Sequence, residues 1–344
     1  MATNNNIPNF HFEPTYHKNL NKKARKVGLS PIEFVFQKMV KNSVKAIKEH
    51  KNKTIFNHIY PLSDVQSMID NSIKTNRLEF TYSSFEAKGF RPSMEDAHFI
   101  VNIKEGLLSG LFDGHGGSEV AKFASSYVQN HFSIFLEKCE GNVYATFHLL
   151  LKSLDQEVKM NNAWDDTGTT AVICFIDYTT HLIYTATLGD SEANIYRSDN
   201  GKSISIPLSC IRDWSCEKEI KRAKKAPHGK LINENQRFVE FNPKKISFEH
   251  KNFRINVSRA IGDKISNPKK KTVISCKPKV TVHQIKPKDV VILACDGLKD
   301  YVQEHEIVYR VKGDPKEVAQ NLVNYAIEIK HSKDNVSVLV VNVS

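Results

Sequence analysis

At 344 residues, with 40% hydrophobic and 25% charged positions, the chain is long and apolar enough to bury a core, which excludes overall disorder. Its six cysteines (Cys139, Cys174, Cys210, Cys216, Cys276 and Cys295) form no CxxC pair; they read as free thiols in a reducing compartment, not as a zinc site or disulfide framework. The net charge of +11 suits an acidic partner, but no apolar run approaches the ~20 residues of a membrane span and no nucleic-acid-binding module is recognisable, so neither a membrane span nor nucleic acid is expected.

The chain opens MATNNNIPNF, without the basic-then-apolar order of a secretory signal, and a cytoplasmic and/or nuclear location is expected. Residues 1–76 hold eleven lysines, one arginine and five acids, a net +7 that sets them apart as a basic N-terminal extension. Within it Ser30, Pro31 and Glu33 make a helix start. Ile32, Val35, Phe36, Met39, Val40, Val44 and Ile47 then recur at helical spacing. This amphipathic helix is expected to dock its apolar face on the neighbouring domain or on a partner.

Residues 77–344 read as one domain. Strands are predicted at Leu78–Tyr82, Leu107–Phe112, Thr170–Ile176, Leu182–Leu188, Asn194–Arg197, Val290–Ala294 and Val336–Val343, all short and rich in β-branched or aromatic residues. Helices are predicted over about Ser118–Glu137, Val143–Lys159 and Pro315–Ile329. Neighbouring strands with grouped helices argue for an α+β sandwich over alternating βαβ units. Residues 212–252 are polar and lysine-rich with weak periodicity, and read as an irregular insertion or flap. Lys22–Lys26 and Lys269–Lys271 are basic clusters, readable as nuclear-localisation signals or as solvated loop charge.

The acids fall where apolar strands meet loops. Asp113 ends GLLSGLF, Asp190 follows TATLG, Asp296 ends VVILAC, and Asp334 precedes Asn335 and VSVLVV. Glu95 and Asp96 lie just before another apolar segment. Taken singly, each could cap a turn. Gathered in low dielectric, they would repel one another and take up protons unless a cation joined them. Oxygen ligands without His or Cys favour Mg²⁺ or Mn²⁺. The glycines of Asp113-Gly114-His115-Gly116-Gly117 allow close approach to an ion, and His115 beside it is a candidate proton donor to a leaving alkoxide. Arg91 is either a bidentate phosphate ligand or an ordinary surface arginine.

Six segments resemble the type-2C metal-dependent protein serine/threonine phosphatases: RPSMEDAH (91–98), FDGHGG (112–117), TGTTAV (167–172), LGDSEAN (188–194), VSRAIGD (257–263) with ACDGLKD (294–300), and KDNVSVLVV (333–341). They stand in that family's order across about residues 77–344. The resemblance implies two antiparallel sheets packed as a sandwich and flanked by helices, with two divalent cations at one end. It implies hydrolysis of phosphoserine and phosphothreonine in phosphorylated proteins by a metal-activated water. Asp113 would bridge the cations, Glu95 and the Gly114 carbonyl would hold one, and Asp296 and Asp334 the other. Asp190 and Asp300, with Asp296, would serve a third, weaker site. Arg91 would bind the phosphate, His115 would act as general acid, and Asp96 would position the water. For Asp263 and Asn335 a structural and a direct role both stand open.

Two residues depart from the family pattern near the site, Glu192 in place of arginine and Lys299 in place of tryptophan, and the segment after Leu208 departs most. The alternative expectation is a phosphatase-fold regulatory or binding module of weak activity.

Overall fold

The computed structural model describes residues 78–199, 202–225, 230–233, 246–250, 253–263 and 273–344. The extension 1–76, its expected helix and both basic clusters lie outside the described residues.

Two five-stranded antiparallel sheets dominate. The first runs β1 (Phe80–Ala87), β16 (Val336–Val343), β15 (Val290–Ala294), β8 (Glu192–Asp199), β9 (Lys202–Pro207). The second runs β14 (Lys279–Gln284), β7 (Leu182–Leu188), β6 (Ala171–Asp177), β3 (Gly106–Phe112), β2 (Ala97–Asn102). A two-residue side-chain period decides how they pack. Leu107, Leu111, Val172, Cys174 and Ile176 from one sheet meet Ile195, Val291, Leu293, Leu339 and Val341 from the other in one buried cluster. The alternate residues face outward and must be covered as well. Val336, Val338, Val340 and Ile292 pack under Val318, Leu322 and Val323 of a C-terminal helix. Phe175 meets Phe132 of the first helix at 4.9 Å, and Phe132 meets Phe147 of the second at 5.4 Å. The order of layers is helix, sheet, sheet, helix, as the family resemblance implied.

The α-helices among the described residues are α1 (Glu119–Lys138), α2 (Val143–Met160), α3 (Glu217–Ala223), α4 (Asp296–Lys299), α5 (Glu304–Val308) and α6 (Pro315–Asn324). The Asn142 side chain accepts from the Ala145 amide at 3.0 Å and starts α2; Asp314 and Pro315 start α6 in the same manner. The helical pattern predicted to Ile329 continues as a π-turn over Tyr325–Ile329.

The region read as irregular carries regular structure. Besides α3 it contains β10 (Lys230–Asn233) and β11 (Ile246–His250), which form an antiparallel sheet with β12 (Phe253–Ile255). Trp214 is fully buried and its indole donates to the Ile255 carbonyl at 3.3 Å. Glu219, also buried, receives Arg222 and Arg259 at 2.5 Å each. The charges of Glu219, Arg222 and Arg259 are thus paired within the fold, although the segment reads as solvated in sequence.

Candidate active site

Three short strands, β4 (Gly114–His115), β5 (Gly168–Thr169) and β13 (Ile261–Gly262), form a small sheet at one end of the sandwich. It locks the loop after β3. Thr170 donates its amide to the Asp113 carbonyl at 2.9 Å, and the Thr169 hydroxyl donates to the same oxygen at 3.0 Å. Gly114 is required by close approach, since a Cβ there would lie 2.4 Å from the Glu95 carbonyl oxygen.

Antiparallel pairing brings the acids to this end. Strands β3, β7 and β15 finish where β2 and β16 begin, so Asp113, Asp190, Asp296, Glu95 and Asp334 meet from distant parts of the chain. With Arg91, Gly114 and His115 they line one cleft of about 300 Å³, and Arg254, Asn256 and Val257 close it from the flap side. Asp96 stands behind the cleft, buried, where it accepts from the Ser337 hydroxyl at 2.6 Å. Its carboxylate, that of Asp113 and the Cys295 thiol all lie within 4.8 Å of one another. Asp300, at the end of α4, is not among the residues lining the cleft, but its charge reaches Asp190 and Asp296.

Burial first, and the neighbouring carboxylates second, push Asp296 up to about 8 and Asp113 well above the usual carboxylate range. Burial is likewise the chief reason that Asp190 and Asp96 rise to about 6. Arg91 meets one side of this charge, with Nη2 2.5 Å from Asp334 Oδ2. Burial opposes protonation of His115, but the Asp263 charge and hydrogen bond, together with the charges of Asp190 and Glu95, outweigh it and raise its pKa. Burial drives the Cys295 thiol well upward, and its sulfur accepts from the Ser337 amide at 3.2 Å, so it belongs to the strand framework. What remains is a set of crowded carboxylates and a backbone carbonyl, the donor chemistry a hard divalent cation takes.

Asn335 and Asp263, whose roles the sequence left open, both make specific contacts near the cleft. Asn335 accepts from the Glu95 amide at 2.9 Å and donates to the Lys88 and Ser93 carbonyls at 2.8 and 2.9 Å, clamping the Arg91–Glu95 loop to the start of β16. Asp263 contacts His115, with Oδ1 2.8 Å from Nε2. The two departures from the family pattern meet each other: Lys299 Nζ lies 3.3 Å from Glu192 and 2.8 Å from Glu304. The paired charges offset one another beside the site. Sequence reading did not single out Arg254 or Asn256, which come from the segment least like the family.

The protein phosphatase 2C profile matches residues 80–336. The chain belongs to the protein phosphatase 2C family. That family is metal-dependent. Among curated relatives, protein phosphatase 2C homolog 2 of Schizosaccharomyces pombe is 29% identical over 247 residues, covering 65% of this chain and 60% of its own. Protein phosphatase 2C homolog 1 of Saccharomyces cerevisiae is 28% identical, covering 73% and 89%. Human protein phosphatase 1B is 27% identical, covering 77% and 57%. The chain thus spans about six-tenths of the length of several curated relatives it matches. A sex-determining protein of Caenorhabditis elegans superposes with a TM-score of 0.64 at 26% identity, covering 76% of this chain and 64% of its own. The catalytic domain of the serine/threonine phosphatase PstP, solved with two manganese ions, shares the fold with a TM-score of 0.50 at 18% identity, covering 77% and 99%.

Proposed function

We propose that this protein phosphatase 2C member hydrolyses phosphoserine and phosphothreonine in phosphorylated proteins, using Mg²⁺ or Mn²⁺. The observation that carries the reading is the meeting of Glu95, Asp113, Asp296 and Asp334 in one cleft with Arg91 and His115. Asp113 would be shared between two cations, with Glu95 and the Gly114 carbonyl on one side and Asp296 and Asp334 on the other. Asp190, Asp296 and Asp300 would form the weaker third site. When bound, the cations supply charge neutralisation for the phosphoryl oxygens and lower the pKa of water.

The residues of the chain do the rest. Arg91 binds two phosphoryl oxygens, and its contact with Asp334 holds the guanidinium over the acids before substrate arrives. Asp96, buried behind Asp113, would help to position the water through the residues in front of it. His115 gives its proton to the departing serine or threonine oxygen. A phosphoserine peptide should release phosphate with Mn²⁺ or Mg²⁺ and not with EDTA. Asp113→Ala should lower kcat on the order of 100-fold or more, because several kcal/mol of charge stabilisation is removed. Undiminished turnover in EDTA, or in Asp113→Ala, would overturn the reading.

A further inference from the structure

His115 and Asp263 are 148 positions apart in the chain yet share one hydrogen bond, and the fold gives up other stabilisation to make it. In the small sheet at the cleft, Gly168 pairs with His115 on one side and Gly262 on the other, so Asp263 and His115 flank the same glycine. A Cβ on Gly168 would lie 2.5 Å from both Asp263 Oδ2 and His115 Nε2. The contact therefore exists only because position 168 has no side chain. Asp263 adopts φ +49°, a left-handed conformation that costs a non-glycine residue on the order of 1 kcal/mol. Its carboxylate is fully buried, and Oδ2 has no hydrogen-bond partner among the described residues. A buried carboxylate is costly to hold, and among the described residues its side-chain hydrogen bond is the one to His115.

The backbone around Asp263 is braced from two directions. Its amide donates to the Thr167 carbonyl at 3.1 Å, and the Gly262 amide donates to Asp155 of α2 at 3.0 Å. His115 is the more exposed partner, with 31% of its side chain accessible, and it lines the cleft.

We infer that Asp263 is the positioning residue for His115: it accepts the Nε2–H hydrogen bond, fixes the tautomer, and leaves Nδ1 as the atom that protonates the leaving oxygen. This rests on the general-acid role of His115 proposed above. As a water oxygen bonds to phosphorus, releasing a proton to solvent, the ester phosphorus–oxygen bond breaks and its electron pair stays on the serine or threonine oxygen. The Nδ1 proton passes to that oxygen, and the imidazole is left neutral with Nε2–H still directed at Asp263.

The test separates leaving groups that need a proton from those that do not. The full chain with Mn²⁺ is assayed on a phosphoserine peptide, whose alkoxide needs the proton, and on p-nitrophenyl phosphate, whose phenolate does not. Asp263→Asn should lower kcat on the peptide about 10-fold or more while changing the aryl ester by less than about 3-fold, the selectivity expected when general acid catalysis alone is impaired. Gly168→Ala, which disturbs the contact without altering either partner, should show the same selectivity. In a His115→Ala background, Asp263→Asn should cause no further loss on the peptide.

Equal loss on both substrates, or a further loss in the His115→Ala background, would overturn the inference and leave Asp263 a packing residue. If His115→Ala itself affects both substrates alike, the general-acid role fails, and the positioning role fails with it. The Asp113→Ala and EDTA results still decide the metal-dependent reaction separately.

Discussion

Carboxyl groups held beside other carboxyl groups, with little water to separate them, make the cleft of this protein an electrostatic strain that folding tolerates. Asp296 shows the sign of the effect. Its pKa is about 8 in the folded protein against 3.8 for the free group, chiefly through burial and then through Asp190 and Asp334. Between those two values the native state holds a proton that the unfolded chain has released. Metal-free stability should therefore fall as pH rises through this window. Asp296→Asn removes the penalty and should stabilise the metal-free protein by ~1 kcal/mol, about 2–4 °C in Tm, while abolishing the phosphatase activity proposed above. Thermal melts in EDTA at pH 5 and pH 8 check both statements; the gain should be larger at pH 8. A lower Tm for the variant at pH 8 would show that Asp296 is held by contacts rather than strained by charge.

At the scale of elements, the sandwich depends on polar joints as well as on its apolar interior. Asp289, fully buried in the turn before β15, receives Arg197 of β8 through two bonds of 2.7 Å and the Lys286 amide at 2.8 Å. Removing one partner of such a pair strands the other charge, so Asp289→Ala should destabilise the fold by ~3–5 kcal/mol in urea unfolding. A cost below ~1 kcal/mol would mean that Arg197 reaches solvent once released. Glu219 plays the same part in the flap: Arg259 of the VSRA segment bonds it directly, and its helix neighbour Arg222 donates onward to the Ser258 carbonyl. Strands with continuous apolar runs were legible in advance: Leu182–Leu188, Val290–Ala294 and Val336–Val343 have the predicted limits. Lys202–Pro207, Lys279–Gln284 and the flap strands were not, because edge strands and short strands carry alternating polar residues that resemble loop sequence.

For the whole molecule, the strain in the cleft and the binding of cations are two sides of one equilibrium. A ligand that binds only the native state stabilises it by RT ln(1 + [L]/Kd), about 2.7 kcal/mol at a hundredfold excess over Kd. Adding Mn²⁺ or Mg²⁺ to metal-free protein should raise Tm by roughly 5–10 °C, EDTA should reverse the shift, and Asp296→Asn should blunt it. An unchanged Tm at millimolar cation would argue against native-state binding in this cleft.

The order of the motifs by itself determined the family and the sandwich, and it pointed to five acids that the fold gathers in one cleft, Glu95, Asp113, Asp190, Asp296 and Asp334. Those follow from local patterns: a two-residue period, a glycine-rich loop, and an acid wherever an apolar run stops. Only the tertiary structure decided what those residues touch. That Asp263 reaches His115 across Gly168, that Asn335 clamps the Glu95 loop, and that Glu192 and Lys299 neutralise one another are facts of strand register and loop closure. Such contacts join positions as much as 247 residues apart. No local pattern encodes them, because they arise only once both sheets are paired and packed.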